Sequence, residues 1–137
     1  MYRILTAFLV APAMALSADI TALPSDALSW ATTPEGVGFA ALNGDRFTES
    51  YLAMVSLPNG TISPPHIKSA DMFGVIVSGE MTHVPVGTKP LDGTVLGAGA
   101  YYHIPAGLAH ISSCVSQQDC VTFLYQPGAF DFNMVSQ

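Results

Sequence analysis

The sequence predicts an all-β fold, a single sandwich or barrel of short strands, and three observations predict it. Seven β-prone runs follow one another at 36–42, 50–57, 73–78, 81–86, 100–104, 109–115 and 120–126, and no stretch of helical period interrupts them. Turn chemistry stands between them: Asn43-Gly44-Asp45, Pro58-Asn59-Gly60, Ser78-Gly79, Pro90-Leu91-Asp92-Gly93 and Ser116-Gln117-Gln118-Asp119. Half of the chain is apolar and only 10% is charged, which suits a compact β protein with little helix surface to solvate. Asn59-Gly60-Thr61 also matches a glycosylation acceptor, but a turn of that composition is expected there anyway. The sequence contains no internal repeat, heptad or low-complexity stretch.

At the start of the chain, Arg3 precedes an apolar run from Ile4 to Leu16 with small residues at Ala13, Ala15, Ser17 and Ala18. That run is too short to span a bilayer, so residues 1–18 read as a secretory signal peptide, with the mature chain beginning between Leu16 and Asp19. Export to the periplasm or the medium is the expectation, with no stable membrane insertion once the signal is removed. Residues 19–35 read as an irregular lead-in whose Trp30 packs on the barrel, and 36–137 as the barrel domain. About 120 residues remain after cleavage, enough for one core. The mature chain carries three cations, Arg46, Lys68 and Lys89, against ten acids, a net charge of −7. Such a chain offers no cluster of cations for phosphate, so nucleic acid is excluded as a partner.

The densest punctuation lies between Gly99 and His110, in Gly-Ala-Tyr-Tyr-His-Ile-Pro-Ala-Gly-Leu-Ala-His. Pro105 and Gly107 force a turn, because proline fixes φ and lacks a donor while glycine accepts positive φ. An imidazole follows at once. The spacing of Gly99, Pro105, Gly107 and His110 resembles the second sequence motif of the cupin superfamily, with Cys114 where that motif has asparagine. Gly60, His66 and Gly79 fall in register with the family's first motif, but Lys68 replaces its second histidine. Its glutamate position falls on Met72, or on Phe73 with the longer spacing. Ser63-Pro64-Pro65-His66, Ser69-Ala70-Asp71 and Phe130-Asp131-Phe132 resemble a group of small secreted single-domain cupins, a likeness that brings no reaction with it.

The resemblance implies a double-stranded β-helix, or jelly roll. In metal-bearing cupins the two histidines and the glutamate of the first motif join the histidine of the second around one divalent metal. Here it implies His66 and His110 as ligands of a divalent transition metal, and a catalytic metal normally wants a third protein ligand. Asp71, His83, His103 and Glu80 are the candidates, Asp71 foremost. Asp71 lies one residue from the glutamate position, so the period-two alternation of a strand turns it to the opposite face unless a bulge intervenes. His83 and His103 read as packed or half-exposed strand residues.

On a strand, residues two apart share a face, so Lys68 points with His66 into the interior. His66, Lys68, Met72 and His110 are therefore the expected ligand-binding set, and Lys68 the only fixed positive charge among them. An ammonium beside two imidazoles suits a small anionic or carbonyl ligand, and burial would lower its pKa. In the alternative, Lys68 snorkels from the barrel mouth with its ammonium in water. Cys114 and Cys120 flank a five-residue loop between two β-prone runs. An even count and an oxidising compartment lead to an expected disulfide there, stabilising by roughly 2 kcal/mol. The reading carried forward is an exported binder of a small molecule, with a degraded metal site. The alternative is a metal-dependent enzyme, dioxygenase- or isomerase-like, using His66, His110 and an unconventional third ligand. No catalytic residue is assigned, and a homodimer is left open.

Overall fold

The computed structural model describes residues 18–136 and builds them into ten strands in two antiparallel sheets. They are β1 (Trp30–Thr32), β2 (Gly38–Asn43), β3 (Tyr51–Leu57), β4 (His66–Ile67), β5 (Met72–Ser78), β6 (Met81–Pro85), β7 (Tyr101–Ile104), β8 (His110–Cys114), β9 (Cys120–Gln126) and β10 (Asn133–Met134). The larger sheet runs β1-β2-β3-β9-β5-β7 and the smaller β10-β4-β8-β6, so the jelly roll is two separate sheets rather than one closed cylinder. Residues 1–17 of the expected signal peptide lie outside the described residues.

Alternation decides the inner face. In β3, Tyr51, Ala53, Val55 and Leu57 are buried while the residues between them are only partly so. Register then carries the same face across β9 to Thr122, Leu124 and Gln126, and across β5 to Gly74 and Ile76. One core results, in which Phe39, Tyr51, Ile76, Tyr102, Ile104 and Leu124 of the larger sheet pack with Met81 and Cys114 of the smaller. Gly74 is required at its place, because a Cβ there would collide with the Tyr102 ring that fills the interior.

In the smaller sheet both faces are covered, so alternation is lost. Thr82, Val84, Ile111 and Ser113 are buried and His83 and Ser112 between them are partly so, since the 3₁₀ turn Pro90–Asp92 folds against β6 and β8. The Cys114–Cys120 disulfide is present and closes the β8–β9 loop as expected.

Two features differ from the sequence expectation. Residues 30–32 are an edge strand rather than irregular lead-in, pairing Trp30 with Ala40. All three are exposed, so no hydrophobic alternation marks them. The ring of Trp30 lies against Gly38 while staying 41% exposed. The two-residue strands β4 and β10 were likewise too short to show a period, and β10 exists by pairing Asn133 with Ile67 and Met134 with His66.

Candidate functional site

Three histidines converge inside the smaller sheet. His66 and His110 are direct partners across β4 and β8, their ring centroids 4.2 Å apart. His83 of β6 pairs with Ser112, two residues from His110 on the same face, and its ring centroid lies 4.1 Å from that of Tyr102. The turn after β7 sets His110 in place: Gly107, at φ +78°, donates its N–H to the Lys68 carbonyl at 2.9 Å. That bond helps to tie the second motif to the first.

The protonation of two of these rings is dictated by their partners. Nδ1 of His66 lies 2.9 Å from the Pro64 carbonyl and Nδ1 of His110 2.9 Å from the Leu108 carbonyl. A carbonyl can only accept, so both Nδ1 atoms carry the hydrogen and both Nε2 atoms present a lone pair. His83 Nδ1 is 2.8 Å from Ser112 Oγ. Nε2 of His83 and of His110 are buried without any hydrogen-bond partner. Burial, followed by the mutual proximity of the rings, pushes His66 and His83 down to about 4, and burial lowers His110 as well. The cluster is uncharged at neutral pH and offers acceptors to whatever it holds.

Lys68 is not in water. It is 4% exposed, and its ammonium donates to the Asp131 carbonyl and sits 3.8 Å from the centroid of the Phe130 ring. Burial lowers it to about 8, opposed by the charge of Asp131 and assisted by that of Arg46. The segment from Ala129 to Met134 lies across this end of the interior. Phe132 stacks on His66 at 4.0 Å, and the Asp131 carboxylate accepts from the Ser69 N–H and Oγ and from Asn133 Nδ2.

Arg46 brings a second cation close to Lys68. Its guanidinium carbon lies 4.2 Å from the centroid of Phe39, 4.1 Å from that of Phe47 and 5.1 Å from that of Phe130, so the Phe130 ring has Lys68 and Arg46 for neighbours. Two of the three cations of residues 19–137 thus meet at one end of the barrel. A concavity of about 390 Å³ opens beside them, lined by Phe39, Ala41, Arg46, Phe47, Tyr51 and Ala53 among others. At its floor the Tyr51 hydroxyl donates to Gln126 Oε1 at 3.3 Å, and burial raises the tyrosine well above its usual range.

The remaining expected site residues separate by strand parity. Met72 faces inward and packs against the core. Asp71 does not join the imidazoles: it accepts from the Ala106 N–H at 2.7 Å and lies 3.3 Å from His103 Nε2, on the outer surface. No bulge intervenes between Asp71 and Met72, so alternation turns the carboxylate outward. His103 stacks on Phe73 at 4.6 Å on that same outer face, and Glu80 is exposed in the β5–β6 turn. Of the third-ligand candidates only His83 faces the interior, where it packs against Tyr102. Neither this trio nor any other group of three or more His, Cys, Asp or Glu residues among those described is placed to hold a metal ion. With lysine and methionine in two of the four family positions, the residues present do not fit the family's metal.

A family model described as a cupin domain matches residues 53–125, and the chain belongs to the cupin family. No curated protein matches it. Among solved structures it is similar to KdgF from Halomonas sp., at 18% identity and a TM-score of 0.62, covering 78% of this chain and 94% of that one. It is also similar to the polyketide cyclase RemF from Streptomyces resistomycificus (16% identity, TM-score 0.66, covering 86% and 87%). An acetylacetone dioxygenase from Acinetobacter johnsonii matches at 15% identity and a TM-score of 0.64, covering 95% and 86%. At such identities the likeness establishes the fold alone.

Proposed function

We propose that this chain is an exported cupin that binds a small organic acid in its barrel without the family's metal. One observation carries the reading: the position of the family's second metal-binding histidine holds a buried lysine, fixed by the Asp131 carbonyl and the Phe130 ring. A lysine ammonium is a donor and a charge, and it cannot coordinate a cation while protonated. The unpartnered Nε2 of His110 supplies an acceptor for a hydroxyl or amide, and Lys68 and Arg46 supply charge for a carboxylate. The disulfide supports an oxidising compartment, in line with the apolar, signal-like N-terminus.

A metal-dependent enzyme is the second reading. Its support is that similar solved structures include a dioxygenase and a cyclase. Titration with acetate and lactate tests the first reading. The native chain binds them, and Lys68→Met weakens binding between tenfold and more than a hundredfold, the cost of about 1.5–3 kcal/mol for a lost charge-assisted contact. Affinities unchanged by Lys68→Met, in a variant that keeps its fold, contradict it.

A further inference from the structure

We propose that Arg46 forms a carboxylate-binding subsite at the mouth of the 390 Å³ concavity, for an organic acid with an apolar body. Three observations converge on it. The guanidinium lies against the rings of Phe39 and Phe47, its carbon 4.2 and 4.1 Å from their centroids. Its N–H edges are not occupied: among the described residues the side chain takes part in no ion pair and no hydrogen bond. A guanidinium lodged against aromatic rings, with its N–H groups unpaired, can capture a carboxylate through two of them.

The walls then specify the rest of the ligand. Ala31, Ala41 and Ala53 with Phe39 and Phe47 make the lining mostly apolar, and the volume suits a small organic molecule. Asp45, the one acid on the wall, has its Oδ1 turned to the Phe47 N–H at 2.9 Å, which leaves Arg46 uncompensated. Phe47 itself is 66% exposed, an aromatic surface at the rim on which an apolar ligand body can lie. Lys68, on the Phe130 ring that Arg46 also faces, adds a second positive charge nearby.

Benzoate is the probe, with benzamide as its uncharged counterpart, and isothermal titration of the full mature chain is the measurement. Benzoate binds the native chain more tightly than benzamide; Arg46→Gln weakens it at least tenfold, and Arg46→Lys keeps part of the affinity. Benzamide binds native chain and variants alike. Equal benzoate affinity in native chain and Arg46→Gln overturns the subsite. Should Arg46→Gln not fold, the Nε–H resonance of Arg46 in the native chain decides: it moves on benzoate addition under this proposal, and a stationary resonance overturns it. The subsite rests on the reading of the chain as an acid binder, and the two fail separately. Benzoate binding abolished by Lys68→Met but untouched by Arg46→Gln overturns the subsite and leaves that reading standing. Absence of benzoate binding to the native chain overturns the subsite, while acetate and lactate still decide the reading.

Discussion

His103 and His110 flank the same turn, seven residues apart, and come to opposite chemistry. His103 lies on the outer face of β7, against the Phe73 ring and 3.3 Å from an Asp71 oxygen, with 39% of its side chain exposed. His110 lies inside β8, 1% exposed, with Nδ1 committed to a carbonyl and Nε2 to nothing. Neighbouring sequence does not decide between them; facing does. An outward histidine finds a carboxylate and water, whereas an inward one must stay neutral and is left with an unused lone pair. The same parity separates Asp71 from Met72, and so removes the carboxylate that a metal centre would need.

The largest expected effect of this contrast is acid sensitivity. His66 and His83 have folded-state pKa values of about 4 against an ordinary 6.5, so below pH 6.5 the unfolded chain binds protons that the folded chain refuses. Their contribution is therefore complete above about pH 6.5 and is lost progressively towards pH 4, a fall on the order of several kcal/mol. Urea unfolding followed from pH 7 to pH 4 reads it, and a flat profile breaks the contrast. Lys68 works in the same direction, in a higher pH window. Its folded value of about 8 lies below 10.5, so burial of its charge costs stability below pH 8 and the cost is relieved as pH rises towards 10.5. In Lys68→Met that alkaline rise disappears.

Packing gives the next effect. Gly74→Ala places a methyl group where the Tyr102 ring lies, and overpacking of this kind costs about 1–3 kcal/mol. Displacing Tyr102 also disturbs its neighbour His83, so near-ultraviolet circular dichroism changes together with the denaturation midpoint. An unaltered spectrum means that the ring moves freely and the interior is looser than described. The smallest effect belongs to the outer pair. Asp71→Asn removes the carboxylate contact with His103 at a solvent-exposed place, and the acid transition between pH 6.5 and 4 stays as it was. A shift of that transition in Asp71→Asn would show that the two faces communicate.

Strand parity was legible wherever one face of a strand meets water. β3, β5 and β9 lie within a residue or so of the runs marked by alternation and turns, and alternation also turned Asp71 outward. His83 could not be found this way, because Met81, Thr82 and Val84 around it are all buried and no alternation survives in a sheet covered on both faces. Arg46 and Lys68 owe their roles to distant rings. Phe130 approaches both, and the carbonyl that accepts from Lys68 belongs to Asp131, 63 residues further along the chain. The motifs placed His66 and His110 because their spacing is local, whereas the closing segment that buries Lys68 is positioned by tertiary contact and carries no periodic signal.

The central claim is that the inward imidazoles and Lys68 receive an acid rather than a metal ion. Metal analysis of mature protein, purified without chelator or affinity tag, tests it most directly, with Lys68→His prepared in parallel. The native chain is expected to carry far less than one equivalent of iron, manganese, nickel or zinc, and Lys68→His, which restores the family's paired imidazoles, to gain affinity for divalent metal. Near-stoichiometric metal in the native chain, removed by mutating His66 and His110 together, would contradict it.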